Sequence, residues 1–277
     1  MNANKIFHIF VYIFAIIGLF FSVGYLAIRF GFTNNPGIIS NDRFFTGHTT
    51  TQNSGWVPTG IFTTSWNNTP EWNSLKEAIQ KDQPIINQVS KETGINSRLI
   101  VSMLIVEQLR LFNDDRESFK KFFEPLKILG SQSVFSWGVL GIKKDTAVEV
   151  EANLASTTSP YYLGSQFEHS LDFKTSNTES ERFTRITDQH NHYYSYLYAA
   201  LYIKQVETQW KRAGFPINNR PEILATLYNL GFIHSQPKAN PEAGGSTIPL
   251  SDKTYSFGEI AYDFYYSDEL VNEFPRD

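Results

Sequence analysis

The chain has 277 residues, with 28 acidic against 24 basic side chains and a net charge of -4. It contains no cysteine, which excludes disulfide bonds and thiolate metal sites. The mildly acidic balance is the opposite of the basic surface that a nucleic-acid partner needs, so we expect no nucleic-acid ligand.

An apolar segment near the N-terminus is typical of a membrane-spanning helix. Between Ile6 and Ile28 there is no Asp, Glu, Lys or Arg, and at ~1.5 Å per residue about twenty such residues cross the hydrocarbon core. A cleaved signal peptide usually has a shorter apolar region of ~7–15 residues, so the pattern favours an uncleaved anchor. Lys5 and Arg29 flank the segment with nearly balanced charge. We therefore predict an anchor over residues 1–31 and a single-pass cytoplasmic-membrane protein whose C-terminal domain faces the periplasm or the cell exterior.

Residues 32–70 predict a polar linker, because they are rich in Asn, Thr, Ser and Gly and show no sustained period. A few aromatic residues, Trp66 among them, can dock its distal part onto the domain that follows. Residues 71–277 suit a single domain.

The periodicity of this domain is mainly helical, and strand signals are weak throughout. We predict helices over residues 72–93, from a cap at Asn96 or Ser97 to about 113, over 117–129, from near 144, and over 190–213, 221–230 and 257–266. Pro221 opens one of these helices and Gly231 stops it. Residues 160–182 and 238–246 predict loops, the second either a solvated surface loop or a cover over a cleft.

Glu107 interrupts one of the most apolar stretches of the predicted domain, residues 99–111. A carboxylate there must either face water at the helix edge or remain half-desolvated. Desolvation disfavours the ionised form of a carboxyl group, which is what a proton donor needs near neutral pH. Arg110, one turn further on, offers the alternative of a helix-edge ion pair worth only tenths of a kcal/mol if exposed.

Three segments further along the chain combine with Glu107. They are residues 136–142 (SWGVLGI) with 145–147 (DTA), residues 188–191 (DQHN) with 198–203 (YAALYI), and residues 224–231 (LATLYNLG). Their order and spacing resemble the soluble lytic transglycosylases of the lysozyme-like superfamily. In that group a helix carries the catalytic Glu, and a Ser-x-Gly-Leu-Met-Gln-Ile turn leads into a Thr-Ala helix. A helix with an Ala-Ala-Tyr-Leu pattern follows, and an Ala-Tyr-Asn-Ala-Gly element closes the site.

The resemblance covers roughly residues 90–235 and implies a lysozyme-like helical domain behind the membrane anchor. Glu107 then matches the catalytic acid, and later base, for the bond between N-acetylmuramic acid and N-acetylglucosamine in peptidoglycan glycan strands. The substrate-binding positions it implies are Gln108, Ser136, Gly138, Leu140, Tyr228 and Asn229. It implies neither a cofactor nor a metal, and His190 and His192 at i, i+2 do not share a helical face.

The sequence also favours a single catalytic carboxylate. Most glycosidases use two, whereas the transglycosylases resemble a one-carboxylate solution in which the substrate's acetamido group and C6 hydroxyl complete a 1,6-anhydro product. No second acidic residue lies in a comparably apolar context. The candidates in polar or helix-start settings are Asp145, Glu149, Glu168 and Glu222.

The chain departs from the pattern of this group at several positions. Gln108 replaces the usual Ser, where an amide can still donate a hydrogen bond that holds the carboxyl group. Leu140 and Gly141 replace Met and Gln, so that backbone groups remain for a sugar but the Gln contact is lost. Leu227 and Leu230 replace small residues.

These departures leave alternatives open. The domain can be a non-catalytic peptidoglycan-binding module, or a membrane-tethered sensor or assembly protein if the motifs are accidental. Residues 136–138 also fit a simple tight turn with a buried Trp, and Tyr228 and Asn229 fit a core tyrosine and a helix cap.

Overall fold

The computed structural model describes residues 65–68, 70–113, 136–250 and 253–276, with isolated residues 12, 18, 19 and 21–23 near the N-terminus. Most of the predicted anchor and linker, and the predicted helix over 117–129, lie outside the described residues. Within the described residues, no helix combines the length and the apolarity needed to cross a lipid bilayer. The described domain is mainly α-helical, as predicted.

The helices are α1 (Pro70–Thr93), α2 (Ser97–Asn113), α3 (Lys144–Ala155), α4 (Thr178–Ile186), α5 (Tyr193–Arg212), α6 (Pro221–Leu230) and α7 (Phe257–Tyr266). Short 3-10 turns cover Ser65–Asn68, Ser165–Phe167 and Phe232–His234. Two antiparallel hairpins pair β1 (Ser136–Trp137) with β2 (Ile142–Lys143), and β3 (Thr247–Leu250) with β4 (Lys253–Ser256). The hairpins were not predicted, and the predicted loop over 160–182 is wrong where α4 begins.

The helix boundaries follow from local chemistry. The Asn96 side chain caps α2, because its Oδ1 accepts hydrogen bonds from the backbone N–H groups two and three positions on, at 2.6 and 3.3 Å. α6 begins at Pro221 and ends before Gly231, whose φ of +91° does not continue a helix. A capping box opens α7, with Glu259 N donating to Ser256 Oγ at 3.2 Å.

α2 is buried on every side, and the domain is arranged around it. α1, α5, α6, α7 and β3 all lie against this helix. Its buried apolar side chains are Leu99, Ile100, Val101, Met103, Leu104, Ile105, Val106 and Leu109. Each large apolar side chain stabilises the fold by roughly 1.5–3 kcal/mol on burial, so α2 is the centre of the core.

Arg98, near the start of α2, fixes the C-terminal segment against this helix. The side chain is fully buried. Its guanidinium donates to the carbonyl oxygens of Phe264, Tyr265, Ser267 and Phe274 at 2.6–2.9 Å and lies over the Phe264 ring. Burial and the nearby Arg276 charge lower its pKa to about 10, so it stays charged at neutral pH. The Arg98 guanidinium thus places a positive charge at the C-terminus of α7, where the helix dipole favours a cation.

A hydrogen-bonded cluster joins the start of α5 to α1. Asp82 Oδ2 accepts from His192 Nδ1 and from the Tyr196 hydroxyl, both at 2.6 Å. The hydrogen bond to Asp82 raises the pKa of His192, against the opposing effect of burial. The first turn of α5 is therefore fixed, and Ser195 within it is fully buried.

The end of the predicted linker docks onto the domain, as expected. Trp66 is fully buried, and its ring meets that of Trp72 edge to face with centroids 5.1 Å apart. The two rings belong to Ser65–Asn68 and α1, so residues 65–68 are part of the folded domain rather than of a polar linker.

The predicted solvated loop over 238–246 is partly wrong. Ala243 is only 4 % exposed. Gly244 N donates to Thr226 Oγ1 on α6, and Gly258 N on α7 donates back to Gly244 O, both at 2.8 Å. The end of this segment is therefore held between α6 and α7.

We expect Arg98→Met to destabilise the domain by about 3–5 kcal/mol, because buried carbonyl oxygens at the end of α7 lose their donor. The measurement is the free energy of unfolding in urea. Arg212→Met is the matched control, since exposed Arg212 also donates to backbone carbonyl groups, those of Ser159 and Pro160. Equal losses for the two variants would show that Arg98 contributes no more than a surface arginine.

Asp263, on α7, is a buried carboxyl group that is incompletely paired. It is 2 % exposed, and among the described residues its Oδ2 has no hydrogen-bond partner. Burial, together with the Glu259 charge, raises its pKa to about 7, and Lys253 opposes this shift.

Asp263→Asn should remove a pH dependence of stability. Because the folded pKa lies above the ordinary value, the folded chain holds a proton that the unfolded chain releases, and stability falls as the pH rises from about 4 through about 7. The variant should therefore unfold at a higher temperature than the wild type at pH 8 and at a similar temperature at pH 4. A constant difference across this range, measured by thermal denaturation, would contradict the assignment.

Candidate active site

Glu107 lies on α2 and is 3 % exposed. Arg110, one turn further on, donates from Nε to Glu107 Oε2 at 3.1 Å, and its Nη2 donates to the same oxygen. The ion pair anticipated from the sequence is therefore present, but it does not lie at an exposed helix edge: the side chains of Arg110 and Glu107 are 12 % and 4 % exposed. Water and salt screen such a pair far less than a surface pair.

Gly141, in the turn between β1 and β2, covers the Glu107 carboxyl group. A Cβ atom at this position would lie 2.5 Å from Oε2 and 2.9 Å from Cδ, and the residue has a φ of +61°. Both facts require glycine. The departure from Gln thus has a local reason: no side chain fits between the turn and the carboxyl group.

Gly138 opens the same turn. It has a φ of +65°, and a Cβ atom there would overlap the Ile186 carbonyl oxygen and lie 2.6 Å from Ser195 Oγ. Trp137, just before it, is 3 % exposed and meets Phe183 of α4 edge to face at 5.2 Å. The alternative of a tight turn with a buried Trp is therefore correct, and this turn is also the one that reaches Glu107.

Side chains from three helices hold the turn in place. Leu140 N donates to Ser195 Oγ on α5 at 3.4 Å, and Leu140 O accepts from the Tyr228 hydroxyl on α6 at 2.7 Å. Gln108 Nε2 on α2 donates to Val139 O at 2.5 Å. The expectation that the Gln108 amide holds the Glu107 carboxyl group is wrong, because this amide binds the turn instead.

The pKa of Tyr228 depends on the charges of Glu107 and Arg110. Burial, the Glu107 carboxylate and Tyr202 hold its pKa well above the ordinary value, with Arg110 acting in the opposite direction. The hydroxyl therefore stays protonated and serves as the donor to Leu140 O. Tyr202 meets the Tyr228 ring edge to face at 5.4 Å, which fixes the ring.

Asn229 does not act as a helix cap. Its Oδ1 accepts from Ser246 N at 2.7 Å and from Ser246 Oγ at 2.9 Å, and a Cβ atom on Gly245 would lie 3.0 Å from the same oxygen. The side chain joins the end of α6 to the segment that leads into β3. Ser246 had no signal in the sequence, since its partner is determined only by the fold.

The predicted residues thus come together in part. Gln108, Gly138, Leu140 and Tyr228 all lie at the turn that covers Glu107, and Asn229 follows Tyr228 on α6. Ser136 pairs with Lys143 through the backbone of the β1–β2 hairpin, and its side chain lies outside the described residues. The polar groups of these residues bind other parts of the protein, so the predicted sugar contacts are not free surface groups.

The expectation of no second carboxyl group in an apolar setting is wrong. Glu222 is 4 % exposed and accepts from Arg220 Nε at 2.8 Å, and Asp263 is buried on α7. The charges that act on Asp263 come from Glu259 and Lys253. Glu222 and Asp263 therefore belong to other local groups of charges, whereas Glu107 acts on Tyr228.

Within the described ranges, no cluster of three or more His, Asp or Glu side chains is arranged to hold a metal ion. No protein-family model, curated protein or solved structure matches the chain. The resemblance to lytic transglycosylases therefore rests on the sequence motifs alone.

Gly141→Ala should destabilise the domain more than the same change at a glycine with free space. Gly214 is the matched control, because its φ is +85° and no atom lies within 4 Å of an added Cβ. We expect Gly214→Ala to cost about 1–2 kcal/mol from backbone strain and Gly141→Ala to cost a further ~1–3 kcal/mol from the displaced carboxyl group. The free energies of unfolding measure both terms. Equal costs would mean that Gly141 does not press on Glu107.

Proposed function

We propose that the protein is a membrane-anchored, peptidoglycan-cleaving enzyme, a lytic transglycosylase that acts on the N-acetylmuramic acid–N-acetylglucosamine bond. The observation that carries the proposal is the buried Glu107 carboxyl group beneath the turn of residues 138–141. The turn comes from one of the motifs and Tyr228, which binds it, from another. Parts of the chain that the resemblance relates to one another are thus neighbours in space.

The chemistry that we propose needs one carboxyl group. Glu107 in its neutral form donates a proton to the glycosidic oxygen as the bond to C1 breaks. The C6 hydroxyl of the same muramic acid then attacks C1 and returns its proton to Glu107, giving a 1,6-anhydro sugar. The acetamido group of the substrate stabilises the positive charge at C1 in between. No metal or cofactor takes part.

The anchor predicted for residues 1–31 and the part of the predicted linker before residue 65 fit this role. A polar, Gly- and Ser-containing linker behaves as a flexible chain. It would let the domain reach glycan strands outside the cytoplasmic membrane while the apolar segment stays in the bilayer.

A second candidate function is a peptidoglycan-binding module without activity. The specific observation that favours it is the state of Glu107, which is 3 % exposed and has Oε2 held by Arg110. Such a carboxyl group cannot meet a glycosidic oxygen without a rearrangement. This candidate predicts retention on purified sacculi without release of soluble fragments.

Glu107→Gln should abolish the release of soluble muropeptides from purified sacculi while the domain stays folded, because an amide cannot donate the proton. Glu222→Gln is the matched control, since Glu222 is also a buried glutamate paired with an arginine; it should keep full activity. Circular dichroism checks the fold of both variants.

Mass analysis of the products separates 1,6-anhydro ends from hydrolysed reducing ends. If only hydrolysed reducing ends are found, the enzyme is a hydrolase and not a transglycosylase. Undiminished release by Glu107→Gln would overturn the proposed catalytic residue, and binding without release by the wild type would select the binding module.

A further inference from the structure

We propose that Arg110 and Glu107 form an ionic lock, which closes the catalytic carboxyl group in the resting protein and opens when the ligand binds. The inference rests on the proposed function, since it concerns regulation of the same site. It goes beyond that function by assigning a role to Arg110, a residue that the resemblance does not use.

Arg110 binds Glu107 through two hydrogen bonds to one oxygen atom. Two nitrogen atoms of one guanidinium, Nε and Nη2, bind the same carboxylate oxygen, Oε2. Both carboxylate oxygens lie near the turn, since a Cβ atom on Gly141 would lie 2.5 Å from Oε2 and 3.4 Å from Oε1. Glu107 is thereby enclosed by Arg110 and by the backbone of the turn.

The closed pair is unsuited to catalysis. A general acid must come within about 2.6–3.2 Å of the oxygen that it protonates. The resting arrangement therefore keeps the buried Glu107 carboxyl group on Arg110 and away from a glycosidic oxygen.

Because both partners are side chains, the pair opens by a change of rotamer at Arg110. Arg110 lies in the last turn of α2, where the helix dipole favours a cation. When the guanidinium leaves, Glu107 Oε2 loses both hydrogen bonds that Arg110 donates. Opening the lock thus frees this carboxylate oxygen for the ligand. A ligand drives this change by binding the open form more tightly than the closed form.

The test measures how readily the Glu107 carboxyl group reacts. The full chain in detergent is treated with a water-soluble carbodiimide and an amine, and the amide formed at residue 107 is followed by peptide mass spectrometry. Arg110→Met should raise the labelling rate by roughly tenfold or more, because at least one charge-assisted hydrogen bond no longer holds the carboxylate. Arg110→Lys keeps the charge with fewer donors and should give an intermediate rate.

Arg220→Met is the control for loss of a buried glutamate's partner, since Arg220 pairs with Glu222. It should leave labelling of Glu107 unchanged. Equal labelling of Glu107 in the wild type and in both Arg110 variants would overturn the lock, because the turn alone would then close the site. An equal increase in Arg220→Met would overturn it as well, since the effect would be general loosening.

Release of muropeptides from sacculi by the same proteins separates the lock from the proposed function. Activity of Arg110→Met equal to or above that of the wild type supports the lock, and a loss as complete as that of Glu107→Gln overturns it in favour of a direct catalytic role for Arg110. If labelling rises but no protein releases muropeptides, the lock stands and the catalytic function fails.

Discussion

A helix that is apolar on every side is stable only where other elements cover every side, and α2 imposes this constraint on the whole domain. Helices α1, α5, α6 and α7 and strand β3 supply the cover. Two charged side chains lie inside it all the same, Arg98 near the start of α2 and Glu107 near its end. Arg98 donates hydrogen bonds to backbone carbonyl groups, whereas Glu107 accepts hydrogen bonds from the Arg110 side chain. The backbone carbonyl groups that bind Arg98 cannot move away unless the domain unfolds. The Arg110 side chain that binds Glu107 can change its rotamer. The start of α2 is therefore fixed, whereas Glu107 near its end can exchange partners.

Local sequence was sufficient for α6, which begins and ends at residues with their own chemistry. α6, between Pro221 and Gly231, has the predicted bounds for this reason. The start of α4 fell inside the predicted loop of residues 160–182, and several stabilising partners of this helix are distant in sequence. Arg182 forms hydrogen bonds with both oxygens of Glu151 at 2.6 Å, and Arg185 donates to carbonyl groups of the preceding loop. No window of neighbouring residues contains these partners, and the local signals of this segment, the Asn177 cap and the acidic first turn, were not recognised.

The same limit applies to the candidate site. The motif order was enough to expect Gln108, Leu140 and Tyr228 near Glu107, and these residues do lie around one turn. The motif order did not predict the hydrogen-bond partners of these residues, because the partners depend on how the chain folds. Gln108 was expected at the carboxyl group and binds Val139 O instead. The structure requires glycine at residue 141, because a Cβ atom there would overlap the Glu107 carboxyl group. From the sequence, the same residue was interpreted as the loss of a Gln contact to the sugar.

The hydrogen bonds of Arg98 also affect the order in which contacts form during synthesis of the chain. Its acceptors lie 166 to 176 positions further along the chain. A polypeptide that emerges N-terminus first presents α2 long before the residues that receive this guanidinium. Contacts of such large sequence separation form late and slowly. Helix α2 therefore lacks the cover of α7 until almost the whole domain has been synthesised.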